Sequence, residues 1–186
     1  MSEDNIQFLE SSSYKKGRYA EVLLTEIVLP EIYKKKIQYL APQEQHPCDF
    51  MFNEGNVVFG GECKCTSMLE KYHAYAIKAE QHDKYVTLLK SLPYFTMFFV
   101  DPYIASIFVA PMKEIVKHCV KIKTVNGHMM KYDIKDMWKL DYTMTQAECN
   151  ALLEFDKEMK IYGYSKNTNP ECKGILDRDM GFIIFT

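Results

Sequence analysis

No apolar run in this chain of 186 residues approaches the roughly 18 to 20 residues that would span a bilayer. Runs such as Phe95 to Val100 are cut short, here by Asp101, and a transmembrane helix is excluded on this reading. The opening Met1-Ser2-Glu3-Asp4-Asn5 is acidic and lacks the basic and apolar segments of a secretory signal, so the expected location is cytoplasmic, with no membrane partner. Charge of one sign is not in excess either. The formal net charge is −2, which neither announces nor forbids a nucleic-acid partner, because a local basic surface decides that and not the sum. The six cysteines, Cys48, Cys63, Cys65, Cys119, Cys149 and Cys172, come without a signal and read as reduced, mostly buried thiols rather than a disulfide framework. There is no internal repeat and no low-complexity tract.

What the chain has is apolar and aromatic mass. It is 47% hydrophobic with 13 Tyr and 11 Phe, enough to bury one sizeable core. Residues 1–13 read as a loose lead-in or a short helix. From Tyr14 to about Lys36, Val22, Leu23, Ile27, Val28 and Ile32 fall near helical spacing, with Lys34, Lys35 and Lys36 where the helix dipole favours cations; Pro30 is expected to kink this helix or end its first part. Ile37–Leu40 reads as a short strand. Cys48–Phe52 and Asn56–Cys65 read as a hairpin turning at Asn53-Glu54-Gly55. Ile77 to Leu92 returns to helical spacing and stops at Pro93, and Phe95–Val100 and Ala105–Ala110 follow as strands. The order α, β, β, β, α, β, β predicts an α/β fold, a mixed sheet with helices on its faces.

Beyond Met112 the pattern weakens. Lys113–Cys119 reads as a short helix, Val120–Thr124 as a strand before a turn at Asn126-Gly127, Thr145–Tyr162 as a helix opened by a Thr145/Glu148 capping box, and Gly181–Thr186 as a last strand. The expected division is a core over 14–112 and a C-terminal helical and strand extension over 113–186, packed on the same domain.

Chemistry concentrates in the hairpin. Strand side chains alternate, so Glu62 and Lys64 point to one face while Cys63 and Cys65 point to the other. In the ordinary antiparallel register Asp49 lies beside Glu62. Two carboxylates at one sheet edge with an ammonium two residues on form a hard-oxygen site for Mg²⁺ or Mn²⁺. Such a site suits phosphodiester hydrolysis: the metal polarises the phosphoryl group and acidifies water, while Lys64 positions that water and offsets developing charge. Asp followed by Glu-x-Lys is a common pattern, whose plain alternative is a solvated strand face with one charge pair. Two further features add to it. Gly17-Arg18-Tyr19-Ala20-Glu21 can aim a third carboxylate from helix one, unless Glu21 is only a first-turn acid favoured by the dipole. On the next helix Gln81 and Tyr85 share a face; Gln81 can reach the site, and Tyr85 can contact a phosphate or fill the core.

The series Gly17-x-x-x-Glu21, Asp49, Glu62-Cys63-Lys64 and Gln81-x-x-x-Tyr85, in this order and on these elements, resembles the PD-(D/E)XK nuclease superfamily over about residues 14–110. Gln-x-x-x-Tyr is similar to the RecB-type branch, while the small size is closer to Holliday junction resolvases of the RecU kind. The resemblance implies a restriction-endonuclease-like α-β-β-β-α-β core and a Mg²⁺- or Mn²⁺-dependent deoxyribonuclease. It implies Asp49 and Glu62 as metal ligands with the backbone carbonyl of Cys63, Glu21 as a direct or water-mediated ligand, Lys64 as the catalytic lysine and Gln81 as a site-organising residue. Cys48 stands where the name-giving motif has Pro, with Pro47 one position earlier, and the four-cysteine iron–sulfur spacing of some RecB-type members is absent.

DNA is the expected substrate, RNA not excluded, and a homodimer would suit a junction resolvase. Lys16, Arg18, Lys78 and Tyr85 are the expected nucleic-acid contacts; for the basic residues the competing explanation is a solvated helix face. Tyr72 and Tyr75, before the second helix, suit base stacking or core packing equally. A zinc site from Cys48, Cys63, Cys65 and His46 or His73 is disfavoured, because Cys-x-Cys in a strand chelates poorly, and no His has a companion nucleophile elbow. The competing class is a non-catalytic nucleic-acid-binding or protein-inhibiting module on the same fold.

Overall fold

Seven successive buried residues, Phe95–Asp101, form a strand covered on both faces, and the fold is built around that strand. A computed structural model describes residues 11–33, 38–39, 48–54, 56–125, 127–155 and 171–176. The readings placed on 34–36, on the loop 41–47, on the helix past residue 155 and on Gly181–Thr186 lie outside the described residues.

Helix α1 comprises three continuous segments, Ser12–Val22, Leu23–Val28 and Leu29–Tyr33. The Ser11 hydroxyl caps it by accepting from the Tyr14 N–H, so the helix begins inside the expected lead-in. Pro30 does not end it. The middle segment is π-helical, with the Leu29 N–H bonded to the Leu24 carbonyl; this widened turn takes up the ring and missing N–H of the proline, and the helix continues to Tyr33.

Strands follow as β1 (Gln38–Tyr39), β2 (Phe50–Glu54) and β3 (Val57–Cys65). Then come β4 (Ala74–Lys78), helix α2 (Ala79–Leu88), β5 (Phe95–Asp101), β6 (Ser106–Pro111) and the short α3 (Met112–Ile115). The chain goes on through β7 (Val120–Thr124), β8 (Gly127–Asp133), β9 (Trp138–Thr143), α4 (Gln146–Glu154) and β10 (Ile175–Leu176). The main sheet has the order β1-β2-β3-β5-β6-β9-β10, and a second sheet has the order β4-β8-β7. β2 and β3 are antiparallel, β3 and β5 parallel, so the main sheet is mixed and the crossover between its parallel pair carries α2. The fold is the α/β, α-β-β-β-α-β arrangement expected, with β9 and β10 prolonging the sheet.

One face of that sheet packs Phe50, Phe98 and Val109 against Leu24, Val28 and Leu29 of α1 and Leu152 of α4. The other packs Phe95, Met97 and Phe99 against Tyr75 and Ile77 of β4, Tyr85 of α2 and Tyr132 of β8. Among the described residues no helix is long and apolar enough to cross a membrane.

Three readings are corrected. Ile77 and Lys78 belong to β4, not to the helix, which starts at Ala79; the alternation of Tyr75 and Ile77 is that of a strand. Tyr75 is therefore in the core, stacked on Phe99 at 4.8 Å between ring centres, and does not offer a base-stacking surface. β8 and β9 fill the stretch where no strand was read after the Asn126-Gly127 turn. By contrast the Thr145 box forms as read, with Glu148 accepting from the Thr145 N–H at 2.7 Å and Thr145 Oγ1 accepting from the Glu148 N–H at 3.3 Å.

Asp101, at the end of β5, ties the core to the segment entering β4. Its carboxylate accepts from the N–H of Met68 (2.8 Å) and of Tyr103 (3.0 Å) and from the Tyr75 hydroxyl (3.1 Å). Asp101→Ala strands these donors, at least two of them buried, and is expected to lower the unfolding free energy by about 2 kcal/mol, read as a lower denaturation midpoint at unchanged m-value. An unchanged midpoint would contradict this role.

Candidate active site

The position of the site is set by two adjacent glycines. Phe50 pairs with Gly61 and Met51 with Gly60 across the β2–β3 hairpin. The Phe50 ring lies over Gly61 so closely that an added Cβ would sit 2.1 Å from its Cζ, and one on Gly60 would sit 2.3 Å from Leu92 Cδ2. Only glycine lets the side chains approach so near. This pins the register, and with it Asp49, whose N–H donates to the Gly61 carbonyl at 3.0 Å, opposite Glu62. The Asp49 carboxylate accepts from the Cys63 N–H at 2.7 Å, where the ladder would otherwise take a carbonyl.

Glu62 projects to the α2 side. Its Oε1 accepts from the Tyr85 hydroxyl at 2.5 Å and from the Lys64 ammonium, which lies 5.6 Å from the centre of the Tyr85 ring. Glu21 on α1 is bound by Arg18 one turn earlier at 2.6 Å. Glu21 stands where α1 gives way to the π turn, and its backbone carbonyl accepts from the Thr25 hydroxyl at 2.8 Å.

These groups share one electrostatic neighbourhood. Burial first, and then the charges of Glu62 and Glu21, push Asp49 up, to about 7. Burial also lifts Glu21, with Arg18 pulling it back and Glu62 pushing it up. For Lys64, burial alone would favour the neutral amine; Glu62, Tyr85 and Asp49 outweigh it and hold the ammonium above its ordinary value. Three carboxylates thus repel one another around a lysine that stays charged.

The structure brings Glu21, Asp49, Glu62 and Lys64 together. It places other residues differently. Tyr85, read as a phosphate contact, is buried with its hydroxyl committed to Glu62. Gln81 is half-buried one turn earlier on α2, and the group on that helix that touches Glu62 is Tyr85. Lys16 is buried with its ammonium 5.8 Å from the centre of the Tyr103 ring, and Arg18 is engaged with Glu21. Lys78 is exposed at the end of β4. The Cys63 thiol is buried on the α1 side of the sheet and Cys48 on the α2 side, so these two cannot share a zinc ion, and burial pushes both thiols up, Cys48 to about 12. The Arg18–Glu21 pair and the Tyr85–Glu62 bond were not read from the sequence; the first was visible as an i,i+3 spacing, the second only as a shared helix face.

Among the described residues no group of three or more His, Cys, Asp or Glu side chains is already arranged to hold a metal ion. The carboxylates are satisfied instead by Arg18, the Cys63 N–H, Lys64 and Tyr85. The donor chemistry nevertheless fits a hard divalent cation, because Asp49, Glu62 and Glu21 offer only oxygen, and their mutual repulsion adds to the burial that lifts Asp49.

A pH dependence follows. The folded state holds the Asp49 proton more tightly than the unfolded chain, so its stabilisation is complete below the unfolded pKa, about 3.9, and is lost as pH rises through about 7. Without divalent cations, stability should fall between pH 5 and pH 8 by on the order of 2 kcal/mol from this group. Asp49→Asn should remove that part of the slope and melt higher than wild type at pH 8. Parallel melting curves across this range would contradict the assignment.

No family model and no curated protein sequence matches the chain. Among solved structures, the 1.6 Å structure of Hjc, a Holliday junction resolvase from the archaeal hyperthermophile Archaeoglobus fulgidus, aligns with 64% of this chain and 88% of its own, at 16% identity and a TM-score of 0.41.

Proposed function

We propose that this chain is a divalent-metal-dependent nuclease that hydrolyses phosphodiester bonds in DNA, at a site made of Asp49, Glu62, Lys64 and Glu21. The observation that carries the reading is the convergence of three mutually repelling carboxylates on a lysine held charged beside them. A bound cation would relieve the repulsion among Asp49, Glu62 and Glu21 and displace the proton that Asp49 otherwise holds up to about pH 7.

Asp49 and Glu62 would hold Mg²⁺ or Mn²⁺, together with the Cys63 carbonyl and, directly or through water, Glu21. The bound cation supplies Lewis-acid polarisation of the phosphoryl group and acidifies water. Tyr85 fixes Glu62 by donating to Oε1, which keeps that carboxylate oriented. Lys64, on the same oxygen, presents an ammonium that offsets the negative charge developing on the phosphate. Arg18 holds Glu21 in place from its own helix.

The test is nicking or linearisation of plasmid DNA by the purified protein with Mg²⁺ or Mn²⁺, and arrest by chelator. Linear, single-stranded and four-way-junction DNA in the same series name the preferred structure, and an RNA substrate decides between the two polymers. Cleavage that persists in excess chelator would overturn the metal dependence.

A further inference from the structure

The second sheet segregates charge. β4, β7 and β8 together carry Lys78, Lys121, Lys123 and Lys131 against a single acid, Asp133, in a chain whose formal net charge is −2. Asp133 stands 3.7 Å from Lys131, so the lysines without an acid on these strands are those of β7 and the end of β4. β7 is the edge of its sheet. Its Lys121 and Lys123 are exposed, as is His128 opposite, and Val125 in the connecting turn is 101% exposed.

Register shows which way this ribbon looks. Lys121 pairs with Met130 and Lys123 with His128, while Met130 pairs with Ile77 and Tyr132 with Tyr75. Directly opposed residues share a face, and so do alternate residues along a strand. Lys121, Lys123 and His128 therefore lie on the face that carries Tyr132. The Tyr132 hydroxyl is 2.5 Å from Nδ1 of His82 on α2, and Tyr85, one turn further along that helix, is bonded to Glu62. Beneath this face, the buried Tyr132–His82 and Tyr85–Glu62 contacts tie the hairpin through α2 to the carboxylates.

From this we propose that the β7–β8 hairpin is an arm that binds the sugar-phosphate backbone of duplex DNA and lays it across α2 toward the site; it deepens the nuclease reading by naming the surface that holds the polymer, and rests on that reading for the substrate. Alternate residues of a strand are about 6.8 Å apart, and each DNA strand carries a phosphate every 3.4 Å or so along the axis, so Lys121 and Lys123 each meet a separate phosphate. Edge-strand lysines also deter sheet-to-sheet pairing. That role needs no alignment of the lysines with α2, and it leaves DNA affinity unchanged when they are removed.

The experiment is the salt dependence of binding to a labelled duplex, by fluorescence anisotropy in chelator, for wild type, Lys121→Gln/Lys123→Gln and the control Lys90→Gln/Lys117→Gln. The hairpin variant should flatten the slope of log affinity against log salt by about 2, one unit per lost phosphate contact. It should weaken binding about tenfold or more at low salt, and keep the wild-type melting temperature and the wild-type rate at saturating DNA. An unchanged slope, the same change in the control pair, or no duplex binding by the wild type would each overturn the arm. Binding through the hairpin without cleavage in Mg²⁺ or Mn²⁺ upholds the arm and removes the nuclease reading. Cleavage with an unchanged slope does the reverse.

Discussion

Lys64→Ala should leave the protein folded and reduce metal-dependent cleavage by about a thousandfold or more. Removing one preorganised charge aimed at the reacting group typically raises the barrier by about 3 to 4 kcal/mol. Lys64 is the cation bonded to Glu62, and its neighbours hold it charged. Its removal leaves Glu62 with the Tyr85 hydroxyl, which is why the fold should persist. Asp49→Ala should be as damaging to cleavage, through loss of cation affinity. Single-turnover cleavage at saturating metal, set beside circular dichroism, separates the two effects, and full activity in either variant would end the assignment.

Gly61→Val should have the largest effect on stability. Even a Cβ would lie 2.1 to 2.7 Å from three atoms of the Phe50 ring, which is itself buried against Phe98 at 5.4 Å between ring centres. The ring is enclosed in the core, so making room for the added atoms means displacing its buried neighbours. The expected loss is about 3 kcal/mol or more, at the upper end of overpacking, with cation binding weakened as well because Asp49 is held by the Gly61 carbonyl and the Cys63 N–H. Phe50→Leu in the same chain should recover part of the stability by vacating the space. Wild-type stability in Gly61→Val would mean that the hairpin is not packed this way.

Much of this architecture is legible in the residues themselves. Alternation gave the hairpin, although Asn53 and Glu54, read as its turn, are strand residues paired with Val58 and Val57; the hairpin register gave Asp49 beside Glu62, and the Gly17-to-Glu21 spacing put a third carboxylate on α1. What escaped has physical causes. β4 is five residues long and runs straight into α2, so Ile77 satisfies both a strand and a helix period. Pro30 normally interrupts a helix, and only the π turn before it, a tertiary accommodation, lets α1 continue. β8 sets Met129 beside Met130 and so blurs its alternation, whereas β9 alternates cleanly from Trp138 to Thr143 and was legible in the residues. Spacing put Gln81 and Tyr85 on one face of α2, but depth of burial decided that Tyr85 meets Glu62, and depth is not written in spacing. The basic residues near α1 read as nucleic-acid contacts turn inward in the structure, Lys16 by burial and Arg18 by pairing with Glu21, while the lysines of β7 acquire direction only once they are paired with β8.

The most direct measurement pairs Mn²⁺ binding by calorimetry with DNA cleavage, for the wild type and Glu62→Ala in the same preparations. Saturable Mn²⁺ binding and cleavage in the wild type, both lost in a folded Glu62→Ala, is the predicted result. Cleavage that survives in Glu62→Ala, or a wild type that binds no Mn²⁺ and cuts no DNA, would contradict a metal-dependent nuclease centred on Asp49, Glu62 and Lys64, and the second outcome would leave a binding or inhibitory module as the better description.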